Sequence, residues 1–167
     1  AASCMKGISL QAVRQATEAV IASDQSQIEV EGVTVPIPRA NPMMVDFLNL
    51  LRLYSFQIYV ISATNIHSVR QLCQAMLDIP AENCFGLDTE VVKSENGNGE
   101  ILTGKLIPPL TITTGKAELY YQKIGRIPPL VTAGDSETDI HLLNLVDPRG
   151  ISIWVGDDDS RYMNIRE

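Results

Sequence analysis

Apolar residues recur along this chain with two different periods, and the switches between them outline the elements. Ser9 precedes Leu10, Val13, Ala16, Val20 and Ile21, a spacing that keeps one apolar face through three turns of helix. Ile28 to Pro38 reads as a short hairpin, with Gly32 in its turn and Val30, Val33 and Val35 as strand residues. Pro42 opens a second helix, in which Met44, Phe47, Leu48 and Leu51 follow the i, i+3, i+4, i+7 pattern. The run Gln57 to Ile61 is short and apolar and ends in Ser62-Ala63-Thr64-Asn65, which suits a strand buried on both faces. A third helix carries Val69, Leu72, Cys73, Met76 and Leu77 on one side and stops before Pro80.

The second half continues the alternation. Phe85 to Leu87 reads as a short strand. Val91-Val92 and Ile101-Leu102 flank Asn96-Gly97-Asn98-Gly99, a hairpin signal that marks residues 90 to 107 as an excursion from the main sheet. Thr113 to Ile124 is a fourth helix ending at Gly125, Leu130 to Ala133 a strand, Ile140 to Leu145 a short helix and Ile151 to Val155 a last strand. From residue 42 onward this order predicts a Rossmann-like, doubly wound α/β domain with a parallel sheet. Right-handed crossovers would bring Ser62 and Asp135 to one sheet edge, where open α/β sheets bind ligands.

Composition narrows the function. The 167 residues are 45% apolar and 20% charged, which is globular rather than disordered. Thirteen Lys and Arg against twenty Asp and Glu leave a net charge of −7, which disfavours nucleic acid as a partner. No apolar run is long enough for a membrane span. Cys4, Cys73 and Cys84 are too few and too irregular for a disulfide framework or a zinc site, and Cys73 fits a helix core position. The odd count points to a reducing, cytoplasmic compartment, while the Ala1-Ala2-Ser3 start leaves open a lost targeting segment.

Three places could carry chemistry. In G-D-S-E-T-D at 134–139, Asp135 sits just past a strand and Asp139 one turn further, so two carboxylates can return to one point and suit a hard cation such as Mg²⁺. The plain alternative is a helix start decorated with acids. Ser62, with the amides of Ala63 and Thr64 beyond it, could hold a phosphate oxygen, or simply cap the next helix. Lys116, after Thr113-Thr114-Gly115, is a cation at a helix start, where the dipole disfavours it; an anionic partner would explain it, and so would an ordinary surface position. His67 and His141 have no cysteine or second histidine at ligand spacing, and His67 reads as a solvent-facing helix residue. Trp154 reads as core.

In this order, a strand-end Ser, a helix-start Lys and G-D-S-x-x-D resemble the second, third and fourth motifs of the haloacid dehalogenase-like phosphohydrolases. The likeness spans residues 42 to 156 and is strongest in V-T-A-G-D-S-E-T-D, while I-Y-V-I-S-A-T resembles the phosphoserine and phosphocholine phosphatase branch. The resemblance implies Ser62 as a phosphate-binding hydroxyl, Lys116 as the charge-neutralising lysine, Asp135 as a metal ligand and Asp139 as a metal or lysine partner. It implies Mg²⁺-dependent hydrolysis of a small phosphomonoester through an aspartyl-phosphate, with residues 41–167 as the core and residues 1–40 as the remnant of a helical cap.

The family's first motif, D-x-D after an apolar strand, supplies the nucleophile, and it is not found. Asp24-Gln25-Ser26 lacks a preceding strand and a second Asp, and Asp157-Asp158-Asp159 follows the last strand. The chain therefore reads as N-terminally truncated and inactive alone, with a second chain or segment supplying the central strand. Two competitors stand beside this reading. One is a non-catalytic, degenerate phosphatase domain that binds a phosphorylated ligand or a protein. The other is a different doubly wound domain, which no G-x-G-x-x-G or P-loop pattern supports.

Overall fold

The computed structural model describes residues 5–94 and 99–156. The residues Asn96, Gly97 and Asn98 of the expected hairpin turn, the acidic run Asp157-Asp158-Asp159, and Cys4 lie outside the described residues. The chain forms two compact units, Ala1–Ile107 and Pro108–Glu167.

The first unit opens with helix α1 (Leu10–Ala22), capped by Ser9, whose hydroxyl accepts the Ala12 amide at 3.0 Å. Its apolar stripe buries Leu10 and Val13 against Leu102, with Met5 and Val91 packed around them. Strands β1 (Gln27–Val30) and β2 (Val33–Pro36) make the expected hairpin, antiparallel and exposed along its whole length. Helix α2 (Pro42–Leu53) starts at Pro42, preceded by Asn41, whose side chain accepts the amides of Met43 and Met44 at 3.0 and 3.4 Å. These bonds satisfy two donors that the helix cannot use internally. Asn41→Ala is expected to cost about 1 kcal/mol in urea unfolding; a change below a few tenths would show that the cap contributes nothing.

Strand β3 (Val60–Asn65) lies later than the apolar run suggests. It begins at Val60 because pairing with Cys84 begins there, and it runs on through Ser62, Ala63 and Thr64. It is half-buried rather than buried on both faces: Ala63 and Thr64 are exposed. Helix α3 (Ile66–Leu77) follows at once, capped by Asn65. Its Val69 and Cys73 join Ile79 and Cys84 in the core, with Leu48 of α2 packed against them.

Strand β4 (Cys84–Lys93) corrects two expectations. The Phe85–Leu87 strand and the first arm of the hairpin are one ten-residue strand. Its first half pairs parallel with β3, and its second half pairs antiparallel with β5 (Glu100–Ile107), so the hairpin belongs to the sheet rather than departing from it. Asp88 and Thr89 fall between the two expected stretches, yet Thr89 is buried in mid-strand.

In the second unit, helix α4 (Thr114–Leu119) is shorter than expected and passes into a wider helical turn at Tyr120–Ile124. Strand β6 (Val131–Gly134) pairs parallel with β7 (Ile151–Trp154), joined through a tight turn at Glu137–Asp139 and helix α5 (Ile140–Leu143). Trp154 is half-buried, not core. The architecture is α/β, with two parallel strand pairs, β3–β4 and β6–β7. Among the described residues, no helix is long and apolar enough to cross a membrane.

Candidate active site

The segment around Ser62 lies in the first unit. Ile61 stands opposite Phe85 and Asn65 opposite Leu87, so Ser62, Ala63 and Thr64 together face the single residue Gly86. Two extra residues on one strand push the backbone outward. A β-carbon on Gly86 would fall 2.5 Å from the Thr64 carbonyl oxygen and 2.7 Å from the Ile66 Cα, so only glycine lets the bulged strand pass this close. The Ser62 hydroxyl accepts the Thr64 amide at 3.1 Å. Capping of α3 falls to Asn65, whose Oδ1 accepts the His67 amide at 3.0 Å, leaving Ser62 outside the helix cap.

His67 is half-buried rather than solvent-facing, and its Nε2 is buried without a hydrogen-bond partner. Burial lowers its pKa first; Asp88 opposes that shift, and Arg70 and Arg14 add to it. Asn65 Nδ2 and Thr89 Oγ1 are likewise buried and unbonded.

The second unit brings Lys116, Asp135 and Asp139 onto one loop system. Gly134 ends β6, and a β-carbon there would sit 2.5 Å from the Asp139 Cβ, so the strand end and the returning turn touch. Asp139 folds back on the turn that carries it. Its Oδ2 accepts the Asp135 and Ser136 amides, each at 3.1 Å, and the Ser136 hydroxyl at 2.9 Å. The Ser136 and Thr138 hydroxyls are 2.7 Å apart, tightening the same turn. Asp139 Oδ1 accepts from the Lys116 ammonium, and both side chains are almost wholly buried.

The anionic partner that Lys116 needs is therefore Asp139, and the surface-lysine alternative does not hold: Lys116 is 4% exposed. Burial alone would raise the Asp139 carboxyl. The Lys116 hydrogen bond and charge, the Ser136 hydroxyl and the Asp135 amide together outweigh that and hold it below its ordinary value. Asp135, in contrast, is exposed at the strand end.

These residues fit a magnesium ion only in part. Asp135 offers one accessible carboxylate, and Mg²⁺ is held by one or two carboxylates together with waters and phosphate oxygens. Both Asp139 oxygens are already engaged by Lys116, Ser136 and loop amides. Among the described residues, no three His, Cys, Asp or Glu side chains form a metal-holding group.

Sequence reasoning passed over Gly86, Gly115, Thr113 and Ser136. An isolated glycine inside a strand signals close backbone approach, and that would have found Gly86. Gly115 is crowded by a residue five positions earlier, and a β-carbon on it would fall 1.7 Å from the Leu110 carbonyl oxygen. Ser136 three residues before Asp139 is a capping-box spacing, legible in principle.

No protein-family model matches the sequence, and no curated protein sequence does. Two solved structures are similar in fold. One is a conserved protein of unknown function from Anaerococcus prevotii DSM 20548, with a TM-score of 0.72 and 19% identity; the match covers 97% of this chain and 48% of that one. The other is a phospho-aspartyl intermediate analogue of phosphoserine phosphatase, with a TM-score of 0.51 and 14% identity over 98% of this chain and 72% of that one. The chain thus spans about half the length of the Anaerococcus protein. Identities this low carry the fold alone, an α/β fold shared with that phosphoserine phosphatase structure.

Proposed function

We propose that this chain is part of a magnesium-dependent phosphomonoesterase of the phosphoserine phosphatase-like branch, acting on a small phosphorylated metabolite. The observation that carries the reading is the buried ion pair between Lys116 of α4 and Asp139 of the turn that follows β6, in a fold similar to that of a phosphoserine phosphatase. A lysine held by a carboxylate is kept in one orientation, as neutralising a phosphoryl group requires.

In this reading Ser62 and the Ala63 amide hold phosphate oxygens, joined by the Thr64 amide once it leaves the Ser62 hydroxyl, while Lys116 offsets the charge that builds on the transferring group and Asp139 positions Lys116. Asp135 would hold magnesium, which when bound supplies further charge neutralisation. An aspartate from a segment upstream of this chain, or from a second chain, would attack phosphorus. The alcohol leaves, and water then cleaves the aspartyl-phosphate. The strand pairing supports an added segment. β3 is an edge strand of its sheet and β6–β7 is a two-stranded sheet, an arrangement that is marginal without further partners.

A D-x-D follows a strand of this chain only at Asp157-Asp158-Asp159, after the last strand rather than the first, and this favours a second reading, a non-catalytic module that binds a phosphorylated ligand or a protein. The intact mass and N-terminal sequence of the natural protein separate the two. A longer parent with an upstream D-x-D should hydrolyse p-nitrophenyl phosphate with magnesium, and Ser62→Ala or Asp135→Asn should lower its turnover by about a hundred-fold. A natural chain without that motif, or a parent that carries it and has no turnover, would overturn the enzyme.

A further inference from the structure

The start of α3 holds an ionisable ring where a proton is disfavoured. His67 is the second residue of that helix, where free amides and the helix dipole oppose a positive charge. Its ring is half-buried, and Nε2 lies inside with no hydrogen-bond partner. A protonated imidazole carries a donor on both nitrogens, so protonation would leave a charged N–H buried without an acceptor. Two anions and two cations act on the ring from around it. Asp88 of β4 and Glu100 of β5 favour the protonated form, while Arg70 of α3 and Arg14 of α1 oppose it. Strand β3, which leads into the helix, has no ionisable side chain. Burial therefore decides, and it holds the ring below its ordinary 6.5.

The same turn of α3 ties three elements together. The Thr17 hydroxyl of α1 lies 3.0 Å from the Ser68 hydroxyl, and the Gln71 side-chain amide donates to Glu18 of α1 at 3.4 Å, so α1 rests on this turn. The His67 amide donates to Asn65 Oδ1 at 3.0 Å, and Asn65 is the last residue of β3. A β-carbon on Gly86 would meet the Thr64 carbonyl and the Ile66 backbone, so the end of the bulge and the start of the helix both lie against β4. A ring that leaves this turn therefore disturbs the seat of α1 and the bulged Ser62–Thr64 segment at once.

We propose that His67 is a proton-operated latch. Neutral, it stays packed and keeps the first turn of α3 docked on α1 and β4; protonated, it turns out to water and lets that turn and the Ser62–Thr64 segment open. The folded ring binds its proton less readily than a solvated one. The closed state thus has its full stability above about pH 6.5 and loses it as pH falls through the lower folded value. The latch belongs to the first unit and does not depend on the proposed function. Where that function holds, acid loosens the segment that holds phosphate.

Two measurements on the 167-residue chain test it. The chain has two histidines, so His67→Gln assigns the His67 ring signal in a proton–carbon NMR titration, and that signal should titrate below 6.5. Amide exchange, corrected for the intrinsic effect of pH, should rise several-fold over residues 62–69 between pH 7.5 and pH 5.5, while Val131–Gly134 of β6 stays unchanged. His67→Gln keeps a neutral polar side chain and should abolish the rise. A native ring that titrates at 6.5 or above overturns the latch, and this holds even if His67→Gln fails to fold. So does exchange over residues 62–69 that is no faster at pH 5.5, a rise of equal size in β6, or a rise that persists in His67→Gln.

Discussion

Asp139→Ala is expected to lower stability by about 3–5 kcal/mol, measured by urea unfolding at neutral pH, because it strands a buried cation. Lys116 is 4% exposed, and its ammonium bonds to Asp139 Oδ1. Removing the carboxylate also leaves the Asp135 and Ser136 amides and the Ser136 hydroxyl without their shared acceptor. The loss should come from the uncompensated charge more than from the pair's own attraction. A Lys116→Met, Asp139→Leu double variant, which buries no charge, should therefore recover most of it. A single-variant loss below about 1 kcal/mol would mean that Lys116 reaches water when Asp139 is gone.

The same pair sets an acid limit. Burial pushes the Asp139 carboxyl up, but the Lys116 bond and charge, the Ser136 hydroxyl and the Asp135 amide pull it further down, to a net value below the ordinary 3.8. The folded state thus binds this proton less readily than the unfolded chain does. The contribution is complete above the unfolded value and is lost as pH falls through the lower folded one. Stability measured from pH 5 down to pH 2 should fall across that window in the native chain, and Asp139→Ala should remove this part of the slope.

Much of the fold was legible because local signals and tertiary demands agree there. Ser9 and Pro42 mark helix starts, and the apolar stripes of α1 and α3 mark faces that the packing buries, while α2 is only half-buried along its stripe. Strand limits were harder, because a strand begins where its neighbour lets it. Gln57-Ile58-Tyr59 is apolar enough for a strand, but pairing with Cys84 starts only at Val60. Asp88-Thr89-Glu90 is polar enough for a break, but Thr89 is buried in the middle of β4.

The site divides the same way. The residue types and their order, Ser62, Lys116, Asp135 and Asp139, are visible in a linear chain. That Asp139 spends its oxygens on Lys116 and its own turn, while Asp135 faces water, depends on a contact 23 residues apart in sequence. A sequence read by periodicity has no means to see which of two carboxylates a distant lysine takes.

Gly115→Ala should be as damaging in its way as the loss of Asp139. A β-carbon there would lie 1.7 Å from the Leu110 carbonyl oxygen and 2.8 Å from its carbonyl carbon. Both are backbone atoms, so no side chain can swing aside, and relief requires the whole 110–115 turn to move. Such overpacking is expected to cost about 3 kcal/mol or more. Gly125 offers the matched control: it is extended at φ 177° with nothing within 4 Å of an added β-carbon, so Gly125→Ala should change stability by less than about 1 kcal/mol, in either direction. Moving the turn also moves the start of α4, so Gly115→Ala should disturb the Lys116–Asp139 pair as well. If Gly115→Ala melts within a degree or two of the native chain, the close approach to Leu110 is relaxed at little cost, and the turn is softer than its contacts imply.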